Sequence, residues 1–195
     1  KKKKYYEELM NVDKKSLFTI AIIGDSQGAK IFDNLLNQTL AKVSKSIKIK
    51  IIHQTSESNQ NFLINFYDEN KIEHHVFVFE KDLNKLLITT DLCITRGGAS
   101  SLAELSLLNI PFISIPLPSS MDNHQYENAK FYEDQNSCWI VNQKNFDKQN
   151  FEDLLFKIIK NKEEYLVKKK NLENLNYQNT WINVNQNLLS ILNEN

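Results

Sequence analysis

The chain has 195 residues, with 24 basic and 24 acidic side chains and hence a formal net charge of zero. That balance lacks the basic excess that binding to nucleic acid requires, so no nucleic-acid partner is expected. A hydrophobic content of 41% suits a folded domain and excludes a disordered chain, and no apolar run approaches the ~20 residues that span a bilayer.

Residues 1–16 begin KKKKYYEEL, are charged and show no periodicity; they read as a linker or an incoming connection. No apolar stretch follows the lysines, so a secretory leader is not expected. Residues 17–195 read as one domain. Phe18–Ile23 is a short β-branched run typical of a buried strand, and it leads into Gly24–Gly28. Ile31, Leu35, Leu36, Leu40 and Val43 then fall on one face of a single helix. Ile47, Ile49 and Ile51 alternate with lysines as a strand does. A helix over 59–70, a strand over 76–79 and a short helix over 83–89 follow. Next come a strand over 92–95, a helix over 101–108, a strand over 112–115, a helix over 124–134 and a strand over 137–141. The rest is helical, with a stripe of Phe151, Leu154, Leu155, Ile158 and Ile159 and a closing helix over 181–192. Strands alternating with helices at this spacing imply an α/β fold, a Rossmann-like parallel sheet with helices on both faces. Ligands of such folds bind outside the carboxyl ends of the strands.

Cys93 and Cys138 match no metal-ligand spacing and sit in apolar strands; buried, reduced thiols and a cytoplasmic setting are expected. His53, His74 and His75 fall at strand ends or connections, where solvated or structural roles are expected.

All four glycines, Gly24, Gly28, Gly97 and Gly98, lie in two loops that each leave a strand and open a helix. Such loops let backbone approach a ligand and present helix N–H groups to phosphate. The first, Gly24-Asp25-Ser26-Gln27-Gly28-Ala29, lacks both the G-x-G-x-x-G spacing and the Lys-Ser/Thr ending of a P-loop; a plain tight turn capped by Ser26 is the competing account. The second runs from Thr95 through Arg96 and the two glycines to Ala99, Ser100, Ser101, Leu102, Ala103 and Glu104. Ser101 and Glu104 have the spacing of a capping box. Alternatively, Glu104 points into the cleft and accepts from two ribose hydroxyls, and Arg96, the chain's only arginine, supplies charge for a diphosphate. We favour the latter. A third cluster, Pro116 to Ala129, places Asp122, Asn123, Gln125 and Asn128 at a helix start; either acid or amide can cap the helix, and amides can also read sugar hydroxyls.

The order GxSQGA, then TRxGASSLAEL, then IPLPxxxDNHQxxNA, spread over Phe18 to Val141, resembles the C-terminal domain of the MurG family. The resemblance implies one half of a GT-B glycosyltransferase, in which this half holds UDP-N-acetylglucosamine (UDP-GlcNAc) and an N-terminal acceptor domain supplies the catalytic base and engages lipid I, giving lipid II for peptidoglycan. It implies no tightly bound cofactor and a cytoplasmic enzyme peripheral to the inner membrane. Matched residue by residue, it sets Ser26, Gln27 and Gly28 against the diphosphate, counts Arg96 and Gly98 among the donor-binding residues, wraps Ala99–Glu104 around the nucleotide with Glu104 on the ribose, and gives Gln125 the GlcNAc hydroxyls with Asn128 supporting that loop. The resemblance also implies that the main chain of Glu80 meets the uracil edge. The sequence departs from the family at Asp25, where a small residue is usual, and at Glu80, where an apolar one is common. No catalytic base matches in this chain, so donor binding without turnover is expected, and there is no Asp-x-Asp pair for a metal-bound diphosphate. A non-catalytic UDP-sugar-binding module and the donor half of a split dolichol-linked GlcNAc transferase are the alternatives. A dehydrogenase is the more distant one: it wants an acid after the second strand, which here ends Ile51-Ile52-His53-Gln54.

Overall fold

The structure is a computed structural model and describes residues 17–24 and 29–178. The segment 1–16, the loop residues Asp25, Ser26, Gln27 and Gly28, and the expected closing helix over 181–192 lie outside the described residues. In chain order the elements are β1 (Phe18–Ile23), α1 (Ala29–Leu35), α2 (Asn37–Ser46), β2 (Ile49–Gln54), α3 (Glu57–Glu69), β3 (Glu73–Phe77), α4 (Leu83–Leu87), β4 (Leu92–Thr95), α5 (Ala99–Leu107), β5 (Phe112–Ser114), α6 (His124–Asp134), β6 (Cys138–Ile140), α7 (Lys148–Lys160) and α8 (Lys162–Gln178). Single 3₁₀ turns occupy Met121–Asn123 and Gln143–Asn145.

All six strands are parallel, in the order β3-β2-β1-β4-β5-β6. A parallel sheet needs a crossover between each strand pair, and the helices that supply them cover both faces. Alternate residues of β1 therefore serve two cores. Ile20 and Ile22 pack with Phe32, Leu36, Leu40, Leu63 and Phe151 on one side. Ala21 and Ile23 pack with Cys93, Leu102, Leu105, Phe112 and Leu172 on the other. This is why β1 reads as a continuous apolar run rather than an alternating one. Cys93 and Cys138 are free, buried thiols, as expected. Burial raises both pKa values, that of Cys138 to about 12.

Two sequence expectations shift. The expected single helix over 31–43 is two, α1 and α2, joined at Leu36. Leu36 N–H donates to the Phe32 carbonyl and Leu40 N–H to that of Leu36, so the apolar stripe crosses the joint unbroken. The third strand is Glu73–Phe77, not 76–79. It is an edge strand, and its polar start hides it from a search for apolar runs: Glu73 pairs in register with Lys50, whose Nζ lies 2.8 Å from the Glu73 carboxylate.

His53 is fully buried in β2, and the polar network around it spans three elements. Its Nε2 lies 3.2 Å from Asp33 Oδ1 on α1, and its Nδ1 lies 2.7 Å from the Tyr67 hydroxyl on α3. Thr55 and Asn59 donate to Asp33 Oδ2 at 2.8 and 2.6 Å. In a neutral imidazole Nδ1 accepts from Tyr67, while Nε2 and Asp33 Oδ1 stand close together without hydrogen-bond geometry. Burial lowers the pKa of His53 despite the nearby carboxylate. Burial also opposes ionisation of Asp33, but His53 beside it and hydrogen bonds from Asn59 and Thr55 outweigh it and hold that carboxyl below the ordinary range.

Both shifts make acid destabilising. Unfolded His53 takes up a proton as pH falls through its ordinary value of 6.5, while the folded state holds it neutral. Unfolded Asp33 protonates before folded Asp33, at pH values near 3.8 and below. Urea unfolding from about pH 8 to about pH 5 is expected to show stability falling as pH drops below the histidine range, with a slope approaching ~1.4 kcal/mol per pH unit for one proton. His53→Gln is expected to flatten that part of the profile.

Candidate functional site

With strand order 3-2-1-4-5-6, the sheet grows outward in opposite directions from β1 and β4, so the connections leaving these two strands diverge and open a crevice at their carboxyl ends. Both glycine loops arise there. Buried Gly24 follows β1, and Arg96, Gly97 and Gly98 follow β4, whose Thr95 is in register with Ile23. Ser26, Gln27 and Gly28 belong to the first loop but lie outside the described residues.

The second loop is fixed by close packing against the third cluster. Gly97 has φ +109°, and a Cβ placed on it would lie 2.6 Å from the backbone oxygen of Gln125 and 3.0 Å from Ser114 Oγ. Only glycine permits both the dihedral and the approach. Asn128 Nδ2 donates to the Gly97 carbonyl at 3.1 Å, and Ser114 Oγ donates to that of Arg96 at 3.3 Å. Gln125 is buried, and its Oε1 accepts from Leu117 N–H at 2.8 Å. The amides of the third cluster thus brace the second loop. Asn128 was matched to support of the loop that carries Gln125, and its side chain here meets the loop after β4. The doublet Gly97-Gly98 flagged this loop in the sequence, but nothing there marked Ser114 as its neighbour.

The capping-box reading does not survive. Helix α5 begins at Ala99, two residues earlier than expected, with extended Gly98 as its N-cap and no side-chain cap. Its first intrahelical bond is from Leu102 N–H to Gly98 O at 3.0 Å, so the amides of Ala99, Ser100 and Ser101 have no acceptor within the helix. Glu104 sits in the second turn, too far along to reach the N-cap. Ala99, Ser100 and Ala103 are exposed and Ser101 and Glu104 half-buried. Leu102 is fully buried in the core, which leaves only its backbone for a ligand.

Arg96 is not a surface cation: its side chain is 2% exposed. Nη1 donates to the Ile115 carbonyl at 3.1 Å and to Gln143 Oε1, and the guanidinium lies 4.7 Å from the Phe32 ring centroid. Past β3, Phe79 is 81% exposed, while Glu80 turns its carboxylate back to accept from Asp82 N–H at 3.0 Å. Neither Asp122 nor Asn123 caps α6 with its side chain; both take left-handed backbone, at φ 49° and 56°, a conformation in which Asn and Asp are the least strained non-glycine residues. A cavity of about 240 Å³ opens between Pro116, Leu117, Asn123, Tyr126 and Lys144. Among the described residues, no group of three His, Cys, Asp or Glu could hold a metal ion, and no helix is long and apolar enough to cross a membrane.

Residues 19–180 match the model of the glycosyltransferase family 28 C-terminal domain. A Pelagibacter ubique protein named UDP-N-acetylglucosamine–N-acetylmuramyl-(pentapeptide) pyrophosphoryl-undecaprenol N-acetylglucosamine transferase is 48% identical over 183 residues, covering 93% of this chain and 51% of that protein. A Rickettsia massiliae protein of the same name is 37% identical over 148 residues, covering 74% of this chain and 39% of its own. The crystal structure of Acinetobacter baumannii MurG superposes with a TM-score of 0.73 at 24% identity, over 86% of this chain and 48% of that one, which shows a shared fold. The chain therefore spans about half the length, or less, of the curated relatives it matches. By its matched residues the chain belongs to glycosyltransferase family 28, as a C-terminal domain of that family.

Proposed function

We propose that this chain holds UDP-GlcNAc as the donor half of an inverting N-acetylglucosaminyltransferase that converts lipid I to lipid II at the cytoplasmic face of the inner membrane. The carrying observation is the uncapped start of α5 at the switch point, behind a glycine that no other residue can replace. A helix start whose first amides have no acceptor within the helix, beside a second glycine loop, suits a diphosphate. Ser26, Gln27 and Gly28, which follow β1 in the sequence, are assigned to the same diphosphate. Gly98 to Ala103 wrap the nucleotide, with small Ala99, Ser100 and Ala103 leaving room beside Glu104. Glu104 accepts from the two ribose hydroxyls, which a carboxylate can do with both oxygens. The Glu80 side chain is engaged with its own loop, so its backbone is the group offered to the uracil edge. Gln125 meets the GlcNAc hydroxyls. Arg96 acts from behind the loop, holding it in place and contributing positive potential without touching the phosphates.

Inverting transfer needs a base to deprotonate the acceptor hydroxyl. We assign that base, and the site for lipid I, to an N-terminal acceptor domain, in keeping with the half-length match to the relatives. Residues 17–195 form the donor domain in this reading, and 1–16 its incoming connection. The donor domain by itself binds donor and does not transfer it.

Calorimetric titration with UDP-GlcNAc, UDP-glucose, GDP-mannose and NAD checks the reading directly. Saturable binding that prefers UDP-GlcNAc is expected, and preference for NAD would overturn it. Glu104→Ala removes hydrogen bonds to a charged group, each worth ~1.5–3 kcal/mol, so affinity is expected to fall about tenfold to a hundredfold. An affinity equal to wild type would show that Glu104 does not touch the ribose. Gly97→Ala must take an unfavourable φ against the Gln125 carbonyl, a strain of order 1–3 kcal/mol. Both the melting temperature and the affinity for UDP-GlcNAc are expected to drop; retention of both would refute the close approach.

A further inference from the structure

None of the residues lining the cavity of about 240 Å³ between the loops after β5 and β6 is assigned to the donor, and the chemistry of that cavity is one-sided. Pro116 and Leu117 give it an apolar wall, while Asn123, Tyr126, Asn142 and Lys144 supply polar groups; no carboxylate lines it. Asn142 Oδ1 already accepts from Lys144 N–H at 2.9 Å, so the amide nitrogen is the part of that side chain left for a ligand. Asn123 does not cap α6 with its side chain. Among the described residues, the Lys144 ammonium and the Tyr126 hydroxyl have no hydrogen-bond or ion-pair partner. The cavity therefore offers an ammonium, two amides and a phenol, a set dominated by donors. Both of its sides are fixed from behind. Leu117 N–H donates to Gln125 Oε1 at 2.8 Å. Buried Arg96 donates to Gln143, in the turn that carries Lys144, and to the Ile115 carbonyl, just before Pro116. Arg96 does not line the cavity, but its charge lies behind it and adds to the positive potential of Lys144.

We propose that this cavity is a subsite for the terminal carboxylate of the peptide carried by the acceptor. The inference rests on the donor-site reading above. In that reading the start of α5 takes the donor's charge and Gln125 its uncharged sugar, so the donor leaves no anion for Lys144. The relatives are named for an acceptor that joins a pentapeptide and a pyrophosphoryl-lipid to one sugar. A pyrophosphoryl group spreads its charge over two phosphates and suits several cations, whereas a peptide end is one carboxylate on carbon, which suits one lysine beside an apolar wall. Position agrees with this choice. Leu117 is both the wall of the cavity and the residue whose amide holds Gln125, so the cavity adjoins the sugar to be transferred. The N-terminal domain keeps the accepting sugar and its lipid, and Lys144 acts in specificity, not in catalysis.

The test follows backbone amide shifts by NMR in the full chain with UDP-GlcNAc present. The added probes are N-acetylmuramyl-pentapeptide, the same compound amidated at its terminal carboxylate, and acetate. The free acid is expected to shift the amides of Leu117, Tyr126 and Lys144 and to bind about tenfold more tightly than the amidated compound or acetate. Lys144→Gln, at an exposed position, is expected to lose about threefold to tenfold in affinity for the free acid. The same variant is expected to bind the amidated compound and UDP-GlcNAc as wild type does. Equal affinity for acid and amide, an affinity for the acid unchanged in Lys144→Gln, or acetate binding as tightly as the peptide overturns the inference. So does the absence of shifts at these amides up to about 10 mM peptide. Each of these results leaves the donor site standing. Wild-type protein that binds no UDP-GlcNAc overturns the donor reading and, with it, the assignment of the carboxylate to an acceptor.

Discussion

Parallel pairing between β1 and β4 decides where everything else in this molecule can happen. These two strands share a register from Ile20–Leu92 to Ile23–Thr95, yet the connections that leave them run to opposite sides of the sheet. No helix can cover the gap above both strand ends, so the backbone there stays open while the sheet beneath is packed on both faces. Glycine and helix starts collect at this one edge because that is where chain must turn sharply without a side chain in the way. The core fixes the floor of the crevice, and the loops are then held to it from behind.

Polar groups do that holding. Asn128 grips the Gly97 carbonyl, Ser114 that of Arg96, and Gln125 the Leu117 amide. Arg96 reaches across to Ile115 and Gln143, so the turn after β6 also supports the loop after β4. On the far side of β1, Asp33 gathers Thr55, Asn59 and His53. Each buried donor or acceptor that meets a loop in this way restricts it to one conformation, because leaving the pair unmade would cost more than the loop gains by moving. The start of α5, by contrast, carries no side-chain cap. A rigid surround with a helix start whose first amides have no acceptor within the helix suits a phosphate at low cost in reorganisation.

The match to relatives about twice as long gives this arrangement its context. A domain that presents its crevice along one sheet edge has a natural complement in a second domain facing that edge, and ligands often bind where two domains meet. In the function proposed above the work divides by chemistry: one side would bind a charged nucleotide through backbone and carboxylate, and the other would bring the acceptor and a base. That proposal gives the residues of this chain the first task. Its histidines show the contrast, since His53 is sealed in the core as a structural group.

Periodicity and glycine placement in the sequence determined the alternating α/β architecture, most element boundaries, the two-sided core and the three clusters around the crevice. They could do so because a buried parallel strand and an amphipathic helix each leave a local pattern, and because a chain with four glycines places them where backbone geometry demands them. Local pattern failed where burial and neighbours differ from what adjacent residues suggest. The polar start of β3 is acceptable only on a sheet edge. Ser101 and Glu104 have capping spacing, but the helix starts at Ala99 because Gly98 can supply the extended N-cap. Arg96 reads in the sequence as charge for a diphosphate, but it is buried, since Ile115, Gln143 and Phe32, distant in sequence, converge on it. The network of Asp33 has no sequence signature at all: its members are spread from 33 to 67, and only the packing of α1 and α3 beside β2 turns an ordinary helix acid and a strand histidine into one buried hydrogen-bonded unit.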